Sequence, residues 1–157
     1  IIGFVSRLEE KHLRMDVQLS EYAIELFANE DAIFQAVYNL TENAIKFSYE
    51  GEVIVIHVSS RAGKLWFSIQ NRGENIAPDE LSCVFDRFHK GDRSRGNDKS
   101  GLGLGLYIVK TIVNQHKGDV GVRSANHITE FSFTLPLDNK ARRSEAEQSL
   151  PPAAHKG

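Results

Sequence analysis

Two asparagines and a lysine lie on one stripe of a predicted helix. The segment DAIFQAVYNLTENAIKFS has the apolar spacing of an amphipathic helix, and it contains Asn39, Asn43 and Lys46. At 3.6 residues per turn, this spacing places the three within about 60° of one another. Asn43 can offer a neutral oxygen to a hard cation such as Mg²⁺, and Lys46 can offer a compact charge to a phosphate. A solvated polar helix face explains the same pattern, so the stripe alone does not establish a site.

A second stretch suited to phosphate chemistry is KSGLGLGLYIVK, residues 99–110, in which three glycines alternate with leucines. Glycines let backbone N–H groups approach a polyphosphate and tolerate φ values closed to other residues. The apolar run that follows predicts a helix whose positive end points at the same place. A plain glycine-rich turn is the alternative. A Walker loop is excluded because no Gly-Lys-Ser/Thr ends the stretch, and a dinucleotide fingerprint because no strand directly precedes it.

Composition is that of a soluble globular domain of 157 residues, with 41% apolar and 25% charged residues. The net charge of -2 gives no electrostatic reason to expect a nucleic-acid partner or direct membrane contact. Cys83 is the only cysteine, which excludes an internal disulfide. The first residue is Ile1, and no signal peptide follows. We therefore expect a fragment of a longer protein.

The elements that must position these motifs follow from periodicity and turn residues. Helices and strands are mixed without strict βαβ alternation, which predicts an α+β fold: a two-layer α/β sandwich with a mixed, mostly antiparallel sheet and helices on one face. Residues 1–15 are expected to end a preceding helix or linker, 16–137 to form the domain, and 138–157 to be a disordered tail. The predicted strands are 15–19, 22–27, 52–60, 64–71, 119–124 and 129–135; the predicted helices are 29–47, a short one opened by Pro78, and 104–116, with a loop over 89–100.

With these motifs together, the chain resembles the ATP-binding catalytic domain of bacterial sensor histidine kinases, in the superfamily that includes gyrase, Hsp90 and MutL. Four segments carry the resemblance, in order, across roughly residues 16–137. They are the asparagine box NL-x-x-NA-x-KFS, the phenylalanine box VFDRFHKGDRS, the second glycine box GLGLGLYIVK, and the closing segments IVNQHKGDVGVRS and TEFSFTLP. The resemblance implies the Bergerat-type fold of that superfamily.

The resemblance also implies a set of site residues and the cofactors ATP and Mg²⁺. Asn39, Asn43 and Lys46 would be catalytic, with Asn43 holding Mg²⁺ and Asn39 supporting it. The implied nucleotide-binding residues are Asn71, Gly73 and Ile76 in the first glycine box, Phe88 and Lys90 near the phenylalanine box, and Gly101, Leu102, Gly103, Leu104, Gly105 and Leu106 in the second glycine box.

The first glycine box departs from the family pattern D-x-G-x-G-I. Asn71 stands where the family has the aspartate that accepts a hydrogen bond from the adenine amino group, and Asn75 replaces the second glycine. The Asn71 carbonyl can still accept that bond, but a charged acceptor makes a bond roughly twice as strong. We therefore expect adenine binding to be kept and weakened. Asn75 is compatible with a left-handed backbone conformation, which would preserve the turn.

The resemblance implies a kinase rather than an ATPase. The superfamily's ATPases activate water with a glutamate four residues before the Mg²⁺-binding asparagine, and Asn39 occupies that position here. The implied function is to bind Mg-ATP and transfer its γ-phosphoryl to a histidine on a separate dimerisation domain of the parent protein. A response regulator receiver domain would be a further partner, and the domain would be cytoplasmic, in a parent expected to be membrane-anchored. The alternative is a degenerate ATP-binding or docking module that regulates a partner without phosphotransfer.

Overall fold

A computed structural model describes residues 2–20, 24–88 and 104–137. These residues form a five-stranded sheet in the order β1-β2-β3-β5-β4. β1 pairs with β2 in parallel, and every other neighbouring pair is antiparallel. The predicted mixed, mostly antiparallel sheet is therefore confirmed. The strands are β1 (Arg14–Leu19), β2 (Val53–Arg61), β3 (Lys64–Arg72), β4 (Asp119–Ala125) and β5 (Ile128–Pro136).

The described helices cover one face of this sheet. They are α1 (Val5–Glu10), which follows a short 3₁₀ turn (Ile2–Phe4), then α2 (Glu30–Phe47), α3 (Pro78–Leu81) and α4 (Gly105–Gln115). Alternate strand residues face the helices and are buried, among them Ile69 and Phe131, and the rings of Phe67 and Phe133 stack at 4.8 Å. The opposite face is mostly polar, as the Gln70–Glu130 hydrogen bond illustrates, although Trp66 also lies on it, 45% exposed. This confirms the predicted two-layer sandwich.

Two long helices supply the other half of the core. The buried residues of α2 recur at helical spacing, as its sequence predicted, and so do those of α4. They are Ala36, Leu40, Thr41, Ala44 and Ile45 on α2, and Val109, Ile112 and Val113 on α4. The half-buried positions of α2 lie beside this stripe and include the three candidate site residues of the helix.

One predicted strand is wrong. Residues 24–27 are not in a strand, and residues 22–23 of the predicted segment lie outside the described residues. Residues 24–27 pair with neither edge strand of the sheet, β1 or β4, and Phe27 is exposed, so the apolar alternation of this segment is not used in sheet packing. The predicted loop and tail also lie outside the described residues. The division of the chain at residues 15 and 137 stays a prediction.

The N-terminus of α2 depends on Asn29. The Asn29 side-chain oxygen accepts a hydrogen bond from the Ala32 N–H at 2.9 Å, as an N-cap does. We expect Asn29→Ala to lower the free energy of unfolding by about 1 kcal/mol, measured by urea denaturation. Asn114→Ala, on the exposed side of α4, is the matched control and should cause no loss. Equal loss in both variants would contradict the capping role.

Candidate functional site

The C-terminal turn of α2 lies directly against the first glycine box. A Cβ added at Gly73 would overlap the backbone carbonyl oxygen of Phe47, the last residue of α2. The Gly73 N–H donates to the His127 carbonyl at 3.0 Å, which holds this backbone to the turn between β4 and β5. Only glycine allows so close an approach here.

Asn71 is a buried amide beside Gly73. It is 4% exposed, and its side chain makes no hydrogen bond to any described residue. Its amide oxygen and nitrogen are not among the fully enclosed side-chain atoms that lack a partner in the described ranges, so a ligand can reach them. Asn71 can therefore offer both a donor and an acceptor to a ligand.

A row of polar groups continues from Asn71 across the end of the sheet. Thr129 is opposite Asn71 in register and is buried, and its hydroxyl lies 2.8 Å from that of Ser124. Ser124 also accepts a hydrogen bond from the Ile76 N–H at 2.9 Å. Sequence reasoning missed Thr129 and Ser124. The sequence does contain a signal for them, because each is a hydroxyl residue at an inward-facing position of a strand whose other inward positions are apolar.

The three candidate residues of α2 are all half-buried, but their surroundings differ. Asn39 donates to the Gly105 carbonyl at 3.2 Å and accepts from Gln35 at 2.8 Å. Asn43 has no side-chain hydrogen bond to any described residue, so its oxygen is available to a cation. The Lys46 ammonium lies 5.5 Å from the ring centroid of Phe47.

The second glycine box is described only from Leu104 onward. α4 begins at Gly105, and a Cβ there would be 3.9 Å from that of Asn39, an ordinary contact. Leu106 packs against the core, and Leu104 is half-buried. The structure thus brings the start of α4 to the asparagine stripe. Lys90, Gly101, Leu102 and Gly103 lie outside the described residues.

The two phenylalanines of the phenylalanine box have different environments. Phe85 is buried and meets Phe131 edge-on at 6.0 Å, so it belongs to the core. Phe88 is 60% exposed, and the Arg87 guanidinium lies 4.7 Å from its ring centroid. The structure therefore does not bury Phe88 in the candidate nucleotide site.

Asn75 stabilises the turn of the first glycine box, but not through the left-handed backbone conformation that its residue type allows. Its φ is not positive. Its side-chain oxygen instead accepts a hydrogen bond from the His127 N–H at 2.9 Å, and the left-handed residues are Asn126 and His127 in the facing turn. A side-chain bond to the neighbouring hairpin thus replaces the conformational freedom of glycine.

Acidic and histidine clusters do not supply a cation site in the described ranges. No three His, Cys, Asp or Glu side chains there could together hold a metal ion. In the same ranges, no helix combines the length and apolar character needed to cross a membrane.

Comparison with known proteins defines the class. The family model described as "Histidine kinase-, DNA gyrase B-, and HSP90-like ATPase" matches residues 28–139, so the chain belongs to this family. Its relatives are sensor kinases. The Bacteroides fragilis sensor protein RprX is 34% identical over 137 residues, 85% of this chain and 26% of RprX. The Escherichia coli sensor histidine kinase CusS is 41% identical over 102 residues, 65% of this chain and 21% of CusS.

Solved structures agree with the fold. The catalytic domain of histidine kinase ThkA superposes with a TM-score of 0.75 at 23% identity, covering 87% of this chain and 86% of that domain. Full-length ShkA, solved with AMPPNP, gives 0.74 at 28% identity, covering 87% of this chain and 28% of ShkA. ThkA with the response regulator TrrA gives 0.72 at 21%, covering 87% and 38%. The chain is thus an ATP-binding catalytic domain of the histidine kinase type, and its match covers 26% of RprX and 21% of CusS.

Proposed function

We propose that this domain binds Mg-ATP between α2, the first glycine box and the start of α4, and delivers the γ-phosphoryl to a histidine on a separate dimerisation domain of the parent protein. The observation that carries the proposal is the position of the Asn71 side chain. It is 4% exposed, makes no hydrogen bond to a described residue, and lies next to Gly73, whose backbone closely contacts the end of α2. ATP use agrees with the family, and AMPPNP is bound by the related ShkA.

Each candidate residue has a role that its chemistry suits. Asn71 accepts from the adenine amino group, and Gly73 and Ile76 bound the base. Lys46, together with the backbone of Gly101, Leu102, Gly103, Leu104, Gly105 and Leu106, faces the phosphates. Lys90 and Phe88 belong to the segment that would close over the nucleotide.

Asn43 supplies an oxygen to Mg²⁺, which when bound neutralises charge on the transferred phosphoryl group. Asn39 positions the start of α4 through its bond to Gly105. An amide is not a base, so Asn39 does not activate water, and this favours phosphotransfer over hydrolysis. The domain's contribution is positioning and electrostatic stabilisation.

The partners belong to the same proposal. We propose the histidine-bearing dimerisation domain of the parent and a response regulator receiver domain, because the relatives are sensor kinases and the related ThkA was solved with a response regulator. We also propose a cytoplasmic domain in a membrane-anchored parent. The docking module without phosphotransfer is not favoured, since the relatives are named as kinases.

Phosphotransfer is tested with this chain, γ-labelled ATP, Mg²⁺ and the separately prepared dimerisation domain of the parent. The expected product is an acid-labile phosphohistidine on that domain. An acceptor domain with its histidine replaced by glutamine is the control and should stay unlabelled. Nucleotide binding without any labelling would contradict the kinase proposal and support the docking module.

Asn71→Asp tests the adenine contact. A charged acceptor makes a stronger hydrogen bond, so we expect about fivefold tighter binding of an ATP analogue by calorimetric titration. Asn114→Asp introduces the same charge on the exposed side of α4 and should leave affinity unchanged. Unchanged or weaker binding in Asn71→Asp would contradict the assignment of Asn71 to the adenine amino group.

A further inference from the structure

The last turn of α2 is held by a lysine from another helix. Lys11, the C-cap residue of α1, donates to the backbone carbonyl oxygens of Ile45, Lys46 and Ser48, each at 2.9 Å. A lysine ammonium has three donors, so these bonds use all of them. The last four carbonyls of a helix have no partner within it, and Ile45 and Lys46 are among them. Lys11 therefore completes the C-terminus of α2.

The opposite side of the same turn faces the candidate nucleotide site. The Phe47 carbonyl lies against Gly73, and the Tyr49 N–H donates to the Arg72 carbonyl at 2.8 Å. The Lys46 side chain, assigned above to phosphate, projects from this turn. Any displacement of the turn therefore moves Lys46 and changes the contact at Gly73 together.

The environment of Lys11 disfavours its charged form. Burial of the ammonium, and secondarily the nearby positive charge of Arg7, lower the pKa of Lys11 below its ordinary value. The three carbonyl bonds and the negative end of the helix oppose that effect. A C-terminal glycine motif could satisfy such carbonyls without burying a charge, but it would not connect α2 to α1.

α1 has other attachments to α2, so Lys11 is not needed merely to dock it. The Arg7 guanidinium pairs with Glu42 at 2.9 Å, and the rings of Phe4 and Tyr38 lie 4.7 Å apart between centroids. Phe4 is itself buried in the core. Loss of the Lys11 ammonium should therefore release the last turn of α2 while α1 stays in place.

We propose that Lys11 is a positioning residue for the nucleotide site: its three bonds fix the last turn of α2 against Gly73 and so couple α1 to nucleotide affinity. This inference rests on the proposed function. Lys11 contacts no nucleotide itself and acts through Lys46 and the Phe47 carbonyl. Because coupling free energies are reciprocal, nucleotide binding should also strengthen the hold of α1 on α2.

The test titrates the 157-residue chain with ADP and Mg²⁺, comparing the original protein with Lys11→Met. Methionine keeps most of the apolar stem and removes the three donors. We expect affinity to fall on the order of tenfold, within the usual range of coupling between sites, and the Gly73 amide NMR signal to shift in the free protein. Lys11→Arg should recover part of the affinity, because it keeps charge and donors in a different geometry.

Lys64→Met is the matched control, since among the described residues the Lys64 ammonium pairs only with Asp119, at 3.4 Å on the exposed surface. Equal affinity in Lys11→Met and Lys64→Met, or lost affinity without a Gly73 shift, would contradict this inference and leave the proposed function intact. A folded original protein that does not bind would instead contradict the proposed function. If Lys11→Met does not fold, the test is repeated with Lys11→Gln. If neither variant folds, Lys11 is required for folding itself, and the inference is overturned.

Discussion

Gly73→Ala is expected to abolish measurable nucleotide binding and to destabilise the domain. The added methyl group would overlap the Phe47 carbonyl oxygen, which is backbone and cannot rotate away. Relief requires the C-terminal turn of α2 to move from β3, and forced rearrangements of this kind cost about 1–3 kcal/mol. The same movement would displace the groups proposed to bind base and phosphate. Thermal unfolding and titration with an ATP analogue measure the two effects.

Gly3→Ala is the control for that variant. A Cβ at Gly3 has no heavy atom within 4 Å, and the residue is exposed with no positive φ, so both unfolding and binding should be unchanged. If Gly73→Ala binds the analogue as tightly as the original protein, the nucleotide does not use the junction of α2 and the first glycine box. The placement of the site would then be wrong.

Asn43→Ala is expected to remove the contribution of Mg²⁺ to nucleotide binding. The Asn43 side chain makes no hydrogen bond to a described residue, so the substitution breaks none within those ranges, and alanine favours the helix. The free energy of unfolding should therefore be unchanged or slightly higher. Losing a direct cation ligand should weaken Mg²⁺-dependent binding by about 100-fold, at least as much as losing a residue that supports a ligand.

The measurement is a pair of titrations of Asn43→Ala with an ATP analogue, one with Mg²⁺ and one with a chelator. The two curves should coincide in the variant and differ in the original protein. Asn114→Ala controls for loss of an exposed helical amide and should retain the Mg²⁺ effect. A full Mg²⁺ effect in Asn43→Ala would assign the cation to other ligands.

Sequence patterns predicted most of the fold because most helices and turns depend on residues that are close together in the sequence. The β2–β3 hairpin follows from two β-rich runs around a short turn, and α2 from an N-cap followed by apolar residues at helical spacing. The error at residues 24–27 has a non-local cause. Alternation shows that a segment could be a strand, but whether it pairs with the sheet depends on contacts distant in sequence.

The sequence predicted those parts of the candidate site that lie within one continuous segment of the chain, but not the contacts between segments. The spacing of the α2 residues follows from helical geometry, whereas the three bonds of Lys11 join residues 34 to 37 positions apart. The closeness of Gly73 to Phe47 also depends on how a helix end meets a strand end. Asn75 illustrates a third limit, because its residue type suits both a left-handed turn and the side-chain bond that it makes.

The most direct test is calorimetric titration of the unaltered chain with a non-hydrolysable ATP analogue, with and without Mg²⁺, on protein shown to be folded by circular dichroism. We predict one binding event per chain, and we expect Mg²⁺ to strengthen it. Absence of binding under both conditions by the folded protein would contradict nucleotide recognition by this domain.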